Sequence, residues 1–145
     1  MHVTIRSSFA KGKWSFLHPN QASYIRALVP ALAKQCHVQL YRWSQNSNHL
    51  HMLIRAGTRG GFKRFLRVLS SRIAQRITGS RKGKTFGRRF FDFIPFTRII
   101  EWGRDFKEVV AYVYKNTLEA TGLISYTPRK RTAPAKAAAR SVRRL

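Results

Sequence analysis

The sequence predicts an α+β domain in which an antiparallel sheet carries helices on one face, and three observations lead there. Strand-like and helix-like stretches alternate in the order strand, helix, strand, strand, helix, strand, helix. The chain has 145 residues, enough for one well-buried core and too few for two domains of ordinary size. Hydrophobic residues make up 43% of it despite a net charge of +24, so it has the core material that a disordered basic chain lacks.

The elements follow from local pattern. His2-Val3-Thr4-Ile5-Arg6-Ser7-Ser8 alternates and is rich in β-branched residues, which predicts the first strand, and Lys11-Gly12-Lys13 marks a loop. Asn20, after Pro19, is the expected N-cap of a helix in which Ala22, Ile25, Leu28, Val29 and Leu32 keep helical spacing, with Pro30 expected to kink or shorten it. Residues 38–43 read as a second strand, and Gln45-Asn46-Ser47-Asn48 as the turn into a third that starts at His49 and is ended by Gly60-Gly61. Phe62, Phe65, Leu66, Leu69, Ile73 and Ile77 form the apolar stripe of a second helix whose remaining surface carries Lys63, Arg64, Arg67, Arg72 and Arg76. Residues 90–94 are β-like, ended or confined to an edge by Pro95. A third helix is expected over residues 104–121, with Phe106, Val109, Val110, Val113 and Thr117 inward and Gly122 as its stop. From Arg129 the composition turns to Ala, Arg and Lys, so we expect one domain over residues 1–127 and a flexible basic tail over 128–145. Together the elements make the split βαβ pattern of a ferredoxin-like sandwich.

Charge narrows the function. Lys and Arg number 29 against 5 acids, which calls for a polyanionic partner. All five acids, Asp92, Glu101, Asp105, Glu108 and Glu119, fall in the later part of the chain. This composition weighs against a centre of three or four converging carboxylates, and with it against the usual two-metal nuclease and polymerase chemistry. Cys36 is the single cysteine, leaving no disulfide framework and no thiolate zinc site, as suits a reducing compartment. There is no apolar run long enough to span a bilayer and no signal-peptide core at the N-terminus, so the expected location is the cytoplasm.

Two stretches carry chemistry. In Asn48-His49-Leu50-His51-Met52-Leu53-Ile54 strand alternation points His49 and His51 to one face and Leu50, Met52 and Ile54 to the other, so a rigid element presents two imidazoles that read either as half of a divalent-metal site or as a pair of surface histidines on a half-exposed strand. In Tyr112-Val113-Tyr114-Lys115-Asn116 helical spacing puts Tyr112 and Asn116 on one face, pairing a phenol that can attack a phosphate with an amide oxygen that can ligate Mg²⁺ or Mn²⁺. Tyr114, two residues from Asn116, lies on roughly the opposite side and reads as a packing or surface residue. His2, His18 and His37 have no partner at a telling spacing and read as ordinary strand or loop residues. For nucleic acid the candidates are Lys63, Arg64 and Arg67 on the second helix, and Arg81, Lys82, Lys84, Arg88 and Arg89 in a glycine-rich loop around Phe86.

His49-Leu50-His51 in a strand followed by Tyr-x-x-x-Asn in a late helix resembles the single-tyrosine HUH nucleases, especially the REP-associated tyrosine transposases of bacteria. The similarity runs from about His2 to Leu123 and includes Phe86-Gly87-Arg88-Arg89-Phe90 and Glu119-Ala120-x-Gly122-Leu123. It implies a ferredoxin-like palm, His49 and His51 as ligands of Mg²⁺ or Mn²⁺ with Asn116 as the third, and Tyr112 as nucleophile. It further implies cleavage and rejoining of single-stranded or hairpin DNA near the bacterial nucleoid, by a monomer or a homodimer. Many relatives have proline after the asparagine where this chain has Thr117, a departure that bears on the end of the helix. The rival expectation is a basic ferredoxin-like module that binds nucleic acid without reacting; a carboxylate-based or zinc-dependent enzyme ranks well behind both.

Overall fold

A computed structural model describes residues 1–92 and 95–126; the expected tail lies outside the described residues. Its main elements are β1 (His2–Arg6), α1 (Pro19–Gln35), β2 (Val38–Gln45), β3 (His49–Ala56), α2 (Arg59–Thr78), β4 (Phe96–Arg98) and α3 (Arg104–Ala120). The strands form one antiparallel sheet in the order β2-β3-β1-β4, the topology expected of a ferredoxin-like sandwich.

Alternation along β1 and β3 separates two faces. Val3 and Ile5 stand opposite Met52 and Leu50, and together with Ile54 they are buried against Ile25, Val29 and Leu32 of α1 and Phe65, Leu69 and Ile73 of α2. Each such side chain, fully withdrawn from water, stabilises the fold by about 1.5–3 kcal/mol. The other face carries Thr4 opposite His51 and Arg6 opposite His49. A register shift between Leu40 and Arg42 inserts Tyr41 as an extra residue in β2, and its ring meets Trp102 and Phe106 edge-on.

Helices do not all lie on one face, and this corrects the expectation. α1 and α2 cover the first face, while α3 docks on the second through Val109 and Val113 against Leu53, in a small core of its own. Its amphipathic stripe is the reason: Leu53 is 1% exposed and needs a cover that neither crossover helix can reach.

Four local expectations also change. The α1 N-cap is His18, whose ring accepts from the Asn20 amide, and Pro19 takes the first helical position, where its missing N–H is no loss. α1 runs through Pro30 to Gln35 because Arg26 and Pro30 are both on the exposed side, where water can satisfy the orphaned carbonyl. The β3 strand ends at Ala56, and Gly60-Gly61 belongs to the first turn of α2, capped by Thr58 Oγ1 accepting from Gly61 N at 3.0 Å. The fourth strand follows Pro95 rather than preceding it: β4 pairs Arg98 with His2 and Phe96 with Thr4. Phe90 instead turns into the core, its carbonyl accepting from Ser7 Oγ, and Asp92 caps the end of β1 by accepting from Ser8 N and Oγ at 2.7 and 2.8 Å. Of the expected strand, residues 93–94 lie outside the described residues. No described helix is long and apolar enough to cross a membrane.

The glycine pair gives a test of opposite signs. A Cβ on Gly61 would stand 2.6 Å from the Cys36 carbonyl oxygen, whereas one on Gly60 would meet nothing within 4 Å. Gly61→Ala should lower stability by about 1–3 kcal/mol through backbone displacement. Gly60→Ala should raise it by about 0.5–1 kcal/mol through unfolded-chain entropy. Urea denaturation of both variants reads the difference; equal effects would contradict the close approach.

Candidate active site

β3 is the platform. His49 and His51 lie on the second face with ring centroids 4.7 Å apart and ring planes at 85°. His51 is buried, and His49 is half-buried. The His49 Nδ1 donates to Asn48 Oδ1 at 2.7 Å; a carbonyl oxygen can only accept, so this bond fixes the proton on Nδ1 and directs ligation to Nε2.

α3 runs across these rings. With Val109 and Val113 seated on Leu53, Tyr112 on the same side of the helix reaches His51, and Asn116 follows it one turn later. The Tyr112 ring is edge-on to His51 at 5.3 Å. Asn116 is 3% exposed and its Nδ2 donates to the Tyr112 carbonyl at 2.7 Å; of the two amide atoms Oδ1 is the one able to ligate a cation. Thr117 continues the helix, its hydroxyl donating to the Val113 carbonyl at 3.1 Å, so the absence of proline there lets α3 extend to Ala120. Tyr114 points away and is 55% exposed.

The structure adds one residue that local sequence pattern does not single out. His2, buried on β1, places Nε2 3.2 Å from His51 Nδ1, stacks on the His51 ring at 5.2 Å and meets Tyr112 edge-on at 5.8 Å. Spacing along the chain gives His2 no partner; the partner comes from β1–β3 pairing, and the one signal in the sequence is that His2 and Thr4 alternate onto one face. Burial first, then the positive charges of Arg98 and the N-terminus, hold the His2 imidazole below its ordinary pKa, so it is neutral at pH 7. Glu119 sits three residues past Asn116 with its side chain only 6% exposed, 3.9 Å from Lys115 Nζ.

Among the described residues no group of three or more His, Cys, Asp or Glu side chains is placed to hold a metal ion. A divalent cation would thus need the Asn116 amide beside the two histidines. That donor set fits Mg²⁺ or Mn²⁺: two neutral imidazoles with Nε2 as donor and one hard oxygen.

The basic candidates fall in two places. Lys63, Arg64 and Arg67 are exposed on α2, which packs on the sheet face opposite the histidines. Arg81 and Lys84 close a tight exposed turn with Lys82 between them, their backbones exchanging hydrogen bonds of 2.8 and 2.9 Å. Arg88 and Arg89 are exposed along a groove of about 480 Å³ that also takes Ser71, Gln75 and Thr78 from α2. Phe86 anchors this loop edge-on against Phe9 and Trp14. Through Phe90 and Ser7, whose amide donates to Asn48 O at 2.9 Å, the loop is tied to the end of the sheet where His49 lies.

No protein-family model matches the sequence, and no curated protein is detectably similar to it. Solved structures do match in shape. The fold is similar to that of a REP-associated tyrosine transposase bound to a REP hairpin, with a TM-score of 0.61 and 15% identity over 85% of this chain and 68% of that one. It is also similar to a provisionally named transposase from Deinococcus radiodurans, with a TM-score of 0.50 and 12% identity over 79% of this chain and 88% of that one. The chain thus has a transposase-like fold.

The neutral, buried His2 makes a pH prediction. Above about 6.5, its ordinary value, the imidazole is neutral in both folded and unfolded chains and contributes no pH dependence. Between that value and the lower folded one the unfolded chain takes up a proton that the native state refuses, so stability falls as pH falls. Thermal unfolding from pH 7.5 to 5 should show a smaller loss for His2→Gln than for the parent; identical profiles would refute the assignment.

Proposed function

We propose that this chain is a metal-dependent enzyme that cleaves and rejoins single-stranded or hairpin DNA through a 5′-phosphotyrosine intermediate on Tyr112. The observation that carries the reading is convergence: a tyrosine of α3 stands 5.3 Å from His51, which itself neighbours His49, on the one sheet face left open by the crossover helices. Mg²⁺ or Mn²⁺, held by His49 Nε2, His51 Nε2 and Asn116 Oδ1, would supply charge to polarise and orient the scissile phosphate. Tyr112 gives up its phenolic proton and forms the new bond to phosphorus as the bond to the 3′-oxygen breaks, and that oxygen leaves as a hydroxyl. The phosphodiester energy stays in the protein–DNA bond, so rejoining needs no nucleotide cofactor. Arg88 and Arg89, at the His49 end of the sheet, hold the strand that is cut, and Arg81, Lys82 and Lys84 extend its path. Lys63, Arg64 and Arg67, on the far face, add long-range attraction or grip a distal duplex. The hairpin as substrate is suggested by the first structural neighbour, itself bound to a REP hairpin.

Incubation with labelled hairpin DNA and Mg²⁺, read on a denaturing gel, tests the reaction. A covalent adduct should form with the parent and with Tyr114→Phe, and vanish with Tyr112→Phe, with His49→Ala or His51→Ala, and in excess EDTA. DNA affinity of Tyr112→Phe should stay near that of the parent, because binding comes chiefly from phosphate contacts. Binding without any adduct would leave the protein a non-catalytic module.

The positions of the cations give a separate test. Arg88→Gln with Arg89→Gln should lower the slope of log affinity against log salt by about 1.4 on single strands, about 0.7 for each phosphate that is no longer neutralised. Replacing Lys63, Arg64 and Arg67 by Gln should weaken binding while the cleaved phosphate stays the same; a moved cleavage site would place these residues at the scissile strand.

A further inference from the structure

The two histidines of the proposed centre are oriented by different devices. For His49 the device is local, the Asn48 amide oxygen holding Nδ1–H. For His51 it lies in the neighbouring strand, since Leu50 and Met52 on either side point to the opposite face. The His51 Nδ1 faces β1, 3.0 Å from Thr4 Oγ1 and 3.2 Å from His2 Nε2. Thr4 is the direct cross-strand partner of His51, so the antiparallel register fixes this contact. His2 comes in diagonally and stacks, with ring planes 24° apart.

We propose that Thr4 and His2 are positioning residues that hold His51 in the Nδ1–H form and so present Nε2 to the divalent cation. The proposal rests on the metal reading given above. A proton on His51 Nδ1 has two acceptors within reach, the Thr4 hydroxyl oxygen and the His2 Nε2 lone pair. His2 Nε2 acts as an acceptor in the tautomer that carries the His2 proton on Nδ1. A neutral imidazole carries one proton, and fixing it on Nδ1 puts the ligating pair on Nε2; outer partners of this kind are worth about 10- to 100-fold in metal affinity. Both ligands are then set to the same tautomer before a cation arrives, one by its sequence neighbour and the other only through the sheet.

Two readouts on ¹⁵N-histidine-labelled protein test this, with His51 signals assigned by their loss in His51→Asn. In the metal-free parent the long-range ¹H–¹⁵N spectrum should place the His51 proton on Nδ1. Thr4→Val, nearly isosteric and so expected to fold, should shift His51 toward a mixture of tautomers and raise the Mn²⁺ dissociation constant in calorimetry about 10-fold or more. Thr4→Ser should restore both, and His2→Phe, which keeps a stacking ring without an acceptor, should reproduce part of the loss. A parent His51 protonated on Nε2, or a Thr4→Val protein with unchanged tautomer and unchanged Mn²⁺ affinity, overturns the proposal. If the parent shows the Nδ1–H form and Thr4→Val disturbs it, yet neither protein binds Mn²⁺, the positioning role stands and the metal reading fails.

Discussion

The seating of α3 on Leu53 is the contact on which the rest of the site depends. Leu53 shares the sheet face of His49 and His51, four and two residues along the same strand, and it is the apolar residue of β3 that this face offers to a helix. Once Val109 and Val113 cover it, Tyr112 comes edge-on to His51, and the helical repeat puts Asn116 on the same side of α3 as Tyr112. The arrangement is therefore a packing consequence before it is a chemical one: a small hydrophobic contact sets the distance between a tyrosine on a helix and two histidines on a strand.

Acidic residues illustrate how a strongly cationic chain builds such a site with few carboxylates. Asp92 closes the corner after β1, Asp105 pairs with Arg98 at 2.8 Å, and Glu108 with Arg104 at 2.9 Å. These pairs are exposed and each is worth at most about 1 kcal/mol, so their value is in fixing corners and helix starts. With three of the five acids used this way, Glu101 and Glu119 remain, and Glu119 pairs with Lys115 at 3.9 Å; imidazoles and amides are the donors most open to such a composition. The excess of cations gives the chain a strong positive field.

Faces of the sheet divide labour in the same way. The covered face holds nearly all the large buried side chains and supplies stability through bulk burial. Histidines, Thr4 and His2 occupy the other, where cross-strand contacts of 3.0–3.2 Å replace oil with directed hydrogen bonds. Buried polar groups of this kind are costly unless every partner is placed, which ties the ring orientations to the β1–β3 register. A slip of one residue would turn both histidines into the hydrophobic core.

Period and composition determined a good deal from the sequence alone. Alternation in β1 and β3, the stripes of α2 and α3, and the count of charges suffice for the α+β class, the sheet order's split βαβ pattern and the shared face of His49 with His51 and of Tyr112 with Asn116, since these depend only on repeats of 2 and 3.6 residues. Tertiary structure decided what no local repeat encodes. Pro30 could stay inside α1 because its side of the helix faces water; the last strand could form only after Pro95, where β1 had an edge left to pair; and α3 crossed to the second face because Leu53 needed cover. His2 became a neighbour of His51 for the same reason: the two are 49 positions apart, and only pairing of β1 with β3 brings their ring nitrogens to 3.2 Å.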